Sequence, residues 1–231
     1  MSRKGWLIGG AVVVVIAVVV ALIVVSVSGG DSSGDASSPT DIKGGAKVAA
    51  LVKGIPQAEF AIGKPGAPVT VREFIDPQCP VCKAASDKTI PGVIKGPVKD
   101  GTARLIIEPL TFIGPDSSSG ALAIAAAAQQ DKGFAYTEIL YANQGQENSG
   151  WATEDVLAGI AKATPGLNVE AWKTAKSGDA AANAVFASGD RGKAAGVSAT
   201  PTFVVKGPGG TKLVTGAVDS SEVINAIEAV S

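Results

Sequence analysis

Hydrophobic and polar positions divide the chain into three stretches. From Leu7 to Val27 nearly every residue is Val, Ile, Leu or Ala, and no charge falls between Gly5 and Gly30. At about 1.5 Å per residue, a helix of this length covers roughly the 30 Å of a bilayer core. Arg3 and Lys4 precede the run and Asp31, Asp35 and Asp41 follow it, which orients the positive flank inward. The expected organisation is therefore a cytoplasmic N-terminus at 1–6 and a transmembrane anchor at 7–27. A signal-peptide core is usually about 7–15 residues long, so length favours an uncleaved anchor over a cleaved signal, although Ser26-Val27-Ser28 offers a peptidase small residues. Residues 28–46 are rich in Gly, Ser and Asp with one Pro, a composition that buries little and reads as a flexible linker.

From residue 47 onward the patterning is that of a globular domain, long enough for one hydrophobic core. A short helix at Lys47 to Val52 precedes an edge strand near Phe60-Ala61-Ile62. Val69 to Ile75 alternates and is rich in β-branched residues, as a buried strand would be. Helical character follows through Ile90, with Pro91-Gly92 breaking or kinking it before an end near Lys95-Gly96. Arg104 to Ile107 is the next strand, stopped by Pro109. Between about 117 and 195 the pattern is helical: Ser119 to Lys132, Phe134 to Asn143, Thr153 to Ala163, Asn168 to Lys176, and Asp179 to Ala195 closed by Gly196. Gly189 and Gly192 each weaken the last of these by about 1 kcal/mol relative to Ala, which predicts an irregular helix. Val204-Val205 and Lys212 to Thr215 form a hairpin around Gly207-Pro208-Gly209-Gly210, and Ser220 to Val230 closes the chain as a helix. The aromatic residues Phe134, Tyr136, Tyr141, Trp151 and Trp172 fall in the helical block, where such spacing usually means core packing, with room for one to line a groove.

Charge adds one exclusion. Twenty Lys and Arg against 21 Asp and Glu leave a net charge of −1, with no basic block, so nothing points to nucleic acid. Cysteine adds far more. The only two, in Cys79-Pro80-Val81-Cys82, are spaced for reversible chemistry. A passive staple is a poor alternative, because a loop this short constrains little in the unfolded chain. Structural zinc generally takes four Cys or His ligands, and the chain has no histidine and no third cysteine. Two thiolates are also soft ligands, so a Cu(I)-handling module is a distinct reading that predicts tight metal binding and no turnover. An inert interaction domain is a third.

The surroundings of the pair favour redox chemistry. The strand at Val69 to Ile75 runs through Asp76-Pro77-Gln78 into the cysteines, and Pro80 suits a first helical turn. Cys79 is thus placed at a helix N-terminus, where unpaired N–H groups and the dipole favour a thiolate, with Cys82 one turn further in and more buried. Far downstream, Ala199-Thr200-Pro201-Thr202-Phe203 puts a proline at the start of an apolar strand.

Strand, CxxC, helix and a later Thr-Pro strand form the thioredoxin arrangement. Glu73-Phe74, the run Phe74 to Cys82 and Ala199 to Phe203 together resemble the DsbA-like family of bacterial thiol–disulfide oxidoreductases, with supporting similarity over about residues 47–231. The resemblance implies a thioredoxin-like α/β fold with an inserted helical subdomain at about 117–195. It implies a redox-active disulfide between Cys79 and Cys82, with Cys79 attacked by substrate. It implies a buried carboxylate at Glu73 serving proton exchange with Cys82; the residue alone also reads as a strand position paired with a lysine. Pro201 is expected to be cis and to face the disulfide, and substrate is expected to bind around Pro80, Val81, Thr200 and Pro201. No cofactor is implied. The partners are cysteine-containing secreted or unfolded proteins and a reoxidising membrane protein of the DsbB or vitamin K epoxide reductase type. Val81 stands where the best-known DsbA site has histidine, so one source of thiolate stabilisation is missing, and the potential is expected between about −120 and −270 mV. A reductase or isomerase would share every motif. The localisation expected is the cell membrane, single-pass, with the domain on the extracytoplasmic side.

Overall fold

A computed structural model describes residues 41–231. The expected N-terminus at 1–6, the anchor at 7–27 and the linker up to residue 40 lie outside the described residues. Among the described residues no helix is long and apolar enough to cross a membrane.

The described residues build a six-stranded mixed sheet. Its strands are β1 (Gln57–Ala58), β2 (Ala61–Ile62), β3 (Val69–Ile75), β4 (Ala103–Pro109), β5 (Thr202–Gly207) and β6 (Gly210–Thr215), in the order β1-β2-β4-β3-β5-β6. Only β3 and β4 pair in parallel. Alternation along β3 sorts its side chains between two faces. Val71 and Glu73 lie level with Leu105 and Ile107 on one side and with Val205 and Phe203 on the other, so a carboxylate shares the apolar face. Arg72 and Phe74 share the opposite face with Ile106 and Glu108.

The helices follow the order expected: α1 (Gly45–Val52), α2 (Pro80–Lys88), α3 (Ile90–Val93), then α4 (Pro115–Ala128), α5 (Gly133–Ala142), α6 (Glu154–Ala163), α7 (Val169–Lys176), α8 (Asp179–Ala194) and α9 (Ser220–Glu228). The inserted block α4 to α8 lies between β4 and β5. Thr153 and Asn168 cap α6 and α7 by accepting the N–H groups of Val156 and Ala171. Alanines of α4 are buried, and their small side chains let other helices come close: Trp172 donates its indole N–H to the Ala123 carbonyl at 2.9 Å and stacks on Tyr136 at 5.8 Å.

Four expectations change. The edge strand is β1, outside β2; Glu59 makes the turn between them at φ 53°, and two-residue strands carry no period to detect. The linker ends before residue 46, since Lys43 exchanges two 2.9 Å hydrogen bonds with Asn143 and α1 already begins at Gly45. Helix α4 starts at Pro115, four residues earlier than Ser119, with the proline in its first turn. Finally, α8 is continuous despite Gly189 and Gly192. Gly192 is buried against the Phe74 ring, where a Cβ would make ordinary contact at 3.4 Å, so packing on the sheet rather than a need for glycine keeps the helix regular.

Candidate active site

The turn after β3 delivers both cysteines to the start of α2. Cys79 is its N-cap residue, with φ −68° and ψ 117°, and Pro80 occupies the first turn. The sulfur of Cys79 accepts the Cys82 N–H at 3.4 Å and its thiol faces the Thr200 carbonyl at 3.5 Å, across a separation of 121 residues. The Thr200–Pro201 bond is cis. Both cysteines are free thiols in this structure.

Their surroundings differ sharply. A hydrogen bond from the Cys82 thiol leads the causes that lower the Cys79 pKa from 9.0 to about 6; Thr200 and the Cys82 and Val81 N–H groups add to it, against partial burial. Cys82 is 0% exposed, and burial pushes its thiol far upward, with the Cys79 hydrogen bond and charge acting the same way. Glu73 is buried, its carboxyl held well above the ordinary range by desolvation first and by Glu138 second. The lysine-paired alternative for Glu73 is not what the structure shows: the groups bearing on it are burial and a second carboxylate. Pro80 and Val81 are exposed, Thr200 is half-buried and Pro201 is buried. Cys79, Cys82, Val81 and Thr200 thus meet at the start of α2, with Pro201 following Thr200 through the cis bond. Of the aromatics, Phe134, Tyr136, Tyr141 and Trp172 are buried and Trp151 is half-buried.

The residues that hold the turn were not visible beforehand. Asp76, fully buried, accepts the Gln78 N–H at 2.8 Å, the Phe112 and Ile113 N–H groups at 2.7 and 3.1 Å, and the Ser117 hydroxyl at 2.7 Å. One carboxylate thus ties the cysteine turn to the loop after β4 and to the first turn of α4. Gln144, just past α5, donates to the Pro77 carbonyl at 2.9 Å and to the Cys79 carbonyl at 3.1 Å. Tyr141 donates to the Asp76 carbonyl at 3.0 Å, and the nearby thiol of Cys82 is among the causes that raise its pKa, after burial. Asp76-Pro77 reads as turn chemistry in sequence. A glutamine or tyrosine at a helix end carries no signal of its target.

Comparison with known proteins agrees with this geometry. The family model described as Thioredoxin matches residues 56–229. A probable disulfide bond formation protein D of Bacillus cereus is 32% identical over 150 residues, covering 64% of this chain and 69% of that protein. The crystal structure of oxidised BdbD from Bacillus subtilis superimposes with a TM-score of 0.65 at 27% identity, covering 75% of this chain and 95% of the other. Chlamydia trachomatis DsbA gives a TM-score of 0.64 at 25% identity, covering 73% and 89%. A thioredoxin-like sheet with CPVC at the start of α2, Thr200–Pro201 against Cys79, and these matches lead to one conclusion: the chain belongs to the thioredoxin family and, within it, to the DsbA-like thiol–disulfide oxidoreductases.

Proposed function

We propose that this protein is a membrane-anchored, extracytoplasmic oxidase that introduces disulfides into secreted or membrane proteins through Cys79 and Cys82. The observation that carries the reading is the asymmetry of the two thiols, one depressed to about 6 at a helix N-terminus and one buried and raised. A low-pKa thiolate leaves readily and stabilises the reduced protein, which makes the disulfide form oxidising. The names of the Bacillus relatives, disulfide bond formation proteins, support the same direction.

In the reaction, a substrate thiolate attacks the Cys79 sulfur. A substrate–Cys79 disulfide forms, the Cys79–Cys82 bond breaks, and the electron pair leaves on Cys82. A second substrate thiolate then attacks the substrate sulfur of the mixed disulfide, forming the substrate disulfide and releasing Cys79 as thiolate. Thr200 and Pro201 hold substrate backbone beside Cys79, with Pro80 and Val81 forming the exposed rim. A quinone-linked partner of the DsbB or vitamin K epoxide reductase type restores the disulfide. The anchor reading rests on the uncharged run from Leu7 to Val27 after Arg3 and Lys4.

Trapping tests the roles. Cys82→Ser should accumulate mixed disulfides through Cys79, because Cys82 can no longer attack Cys79 and expel the substrate thiol, whereas Cys79→Ser should trap few. Equal trapping by both, or none by either, overturns the assignment.

A further inference from the structure

We propose that Glu138 relays protons between solvent and the buried end of the active site at Cys82 and Glu73. The inference rests on the thiol-exchange function above. That reaction leaves an electron pair on a sulfur that water does not reach, since Cys82 is 0% and Glu73 only 2% exposed. A proton has to arrive through the protein.

Elementary helix geometry puts the necessary groups in one stack. Cys82 and Ser86, four apart, share a face of α2, and Glu138 and Tyr141, three apart, share a face of α5. These faces meet. The Ser86 hydroxyl donates to Glu138 Oε2 at 2.9 Å, and one turn away the Tyr141 hydroxyl, bonded to the Asp76 carbonyl, lies against Cys82. Glu73 on β3 closes the third side, near enough to Glu138 to sense its charge.

Glu138 is the member of the stack that reaches outward. With Ser86 it lines a cavity of about 20 Å³ between α1, α2 and α5, whose other walls include Lys47, Asp87 and Pro91. A cavity needs roughly 10–15 Å³ to hold a water molecule, so this one has room for one beside the carboxylate. Lys47 and Asp87 form an ion pair at 3.2 Å with side chains 67% and 57% exposed, which places this wall at the protein surface.

The charge state suits delivery. Burial lifts the Glu138 carboxyl from 4.5 to about 8, against the Ser86 hydrogen bond and Lys47, with Asp87 adding to the rise. The charged groups around it are thus Lys47 on α1, Asp87 on α2 and Glu73 on β3, while Lys83 of α2 turns its ammonium to the Tyr141 carbonyl. At neutral pH Glu138 carries a proton. When the Cys79–Cys82 bond breaks, the Cys82 thiolate takes a proton from Glu73, Glu73 is refilled by Glu138, and Glu138 by water. Of the two protons lost by the substrate dithiol, one is thereby returned to Cys82 and the other stays in solvent, with Cys79 leaving as thiolate.

The test follows reduction of the disulfide form of the full-length protein by glutathione from pH 6 to 10, expressed per glutathione thiolate. The wild-type rate should fall as pH rises through about 8, where Glu138 loses its proton. Glu138→Gln should be at least about fivefold slower at pH 7 and flat across that window, and Glu138→Asp should keep the inflection, a pattern that a packing role would not produce. Ser86→Ala should move the inflection upward, because it removes a hydrogen bond that favours the carboxylate, and it decides the matter if Glu138→Gln does not fold. A folded Glu138→Gln with the wild-type profile, or an unmoved inflection in Ser86→Ala, overturns the relay. Failure of the wild-type disulfide to react with glutathione at all overturns the thiol-exchange reading, and the relay with it.

Discussion

Cys79 keeps 6% of its surface exposed, enough for a small reagent to reach a sulfur that lies at the open end of a helix, whereas Cys82 keeps none. Alkylation of the reduced, folded protein with iodoacetamide should therefore modify Cys79 with a midpoint near pH 6 and leave Cys82 unmodified until the chain unfolds. The sign of the linkage follows. A depressed pKa stabilises the reduced fold fully above the ordinary thiol value of 9.0, and that contribution is lost as pH falls through about 6. The Val81 side chain, 44% exposed beside the sulfur, offers no hydrogen bond, leaving only its backbone N–H to act on Cys79. Val81→His should make the protein a stronger oxidant, by about 30 mV for each unit the Cys79 pKa falls, as measured by equilibration with glutathione. An unchanged or more reducing potential in a folded variant would show that this position does not tune the couple. At this scale the sequence was legible wherever chemistry is written in spacing, as with Cys79, Cys82 and the Thr200-Pro201 pair. Asp76 and Gln144 escaped because what defines them is which distant N–H or carbonyl they face, and no local pattern records that.

Between elements, a single carboxylate sets how the active-site turn meets its neighbours. Asp76 serves four donors from three segments, all in a fully buried position. Removing it leaves the buried Gln78 N–H and Ser117 hydroxyl without this acceptor, each costing about 1–3 kcal/mol, and releases the part-buried Phe112 and Ile113 N–H groups. Asp76→Ala should lose about 3 kcal/mol or more by denaturant unfolding, and the alkylation midpoint of Cys79 should rise as the turn loosens. A midpoint that stays near 6 in a destabilised variant would separate stability from thiolate tuning. Strongly periodic elements such as β3 and α6 could be read directly from the chain, while β1 and β2, two residues each, exist only through pairing. Gly192 shows the opposite failure. Propensity predicts an irregular α8, but packing of the helix on the sheet, with Ser188 and Arg191 bonded to Glu108, outweighs a cost of about 1 kcal/mol per glycine.

Across the whole domain, the helical block is fastened to the sheet by a polar clasp. Glu108 of β4, 1% exposed, receives Arg72 from β3, the Arg191 Nε and Nη2 from α8 at 2.9 and 2.7 Å, and the Ser188 hydroxyl at 2.7 Å. Both arginine side chains reach solvent, at 37% and 41% exposure, so losing the carboxylate is less severe than breaking a fully buried pair at about 3–5 kcal/mol. Glu108→Ala should cost about 2–3 kcal/mol in denaturant unfolding and leave the Cys79 alkylation midpoint in place; a loss below about 0.5 kcal/mol would show that the clasp is dispensable. The insertion itself was legible as a run of helical periods between two strand patterns, but its docking through Glu108 was not, since the charges concerned lie 83 residues apart. That distance has a temporal side. Cys79 and the Thr200 carbonyl that faces it are separated by 121 residues, the whole helical block among them. During synthesis the thiols leave the ribosome long before their partner segment exists. A nascent chain therefore carries the sulfur without its Thr200 contact, and that share of its tuning arrives only when β5 closes onto β3.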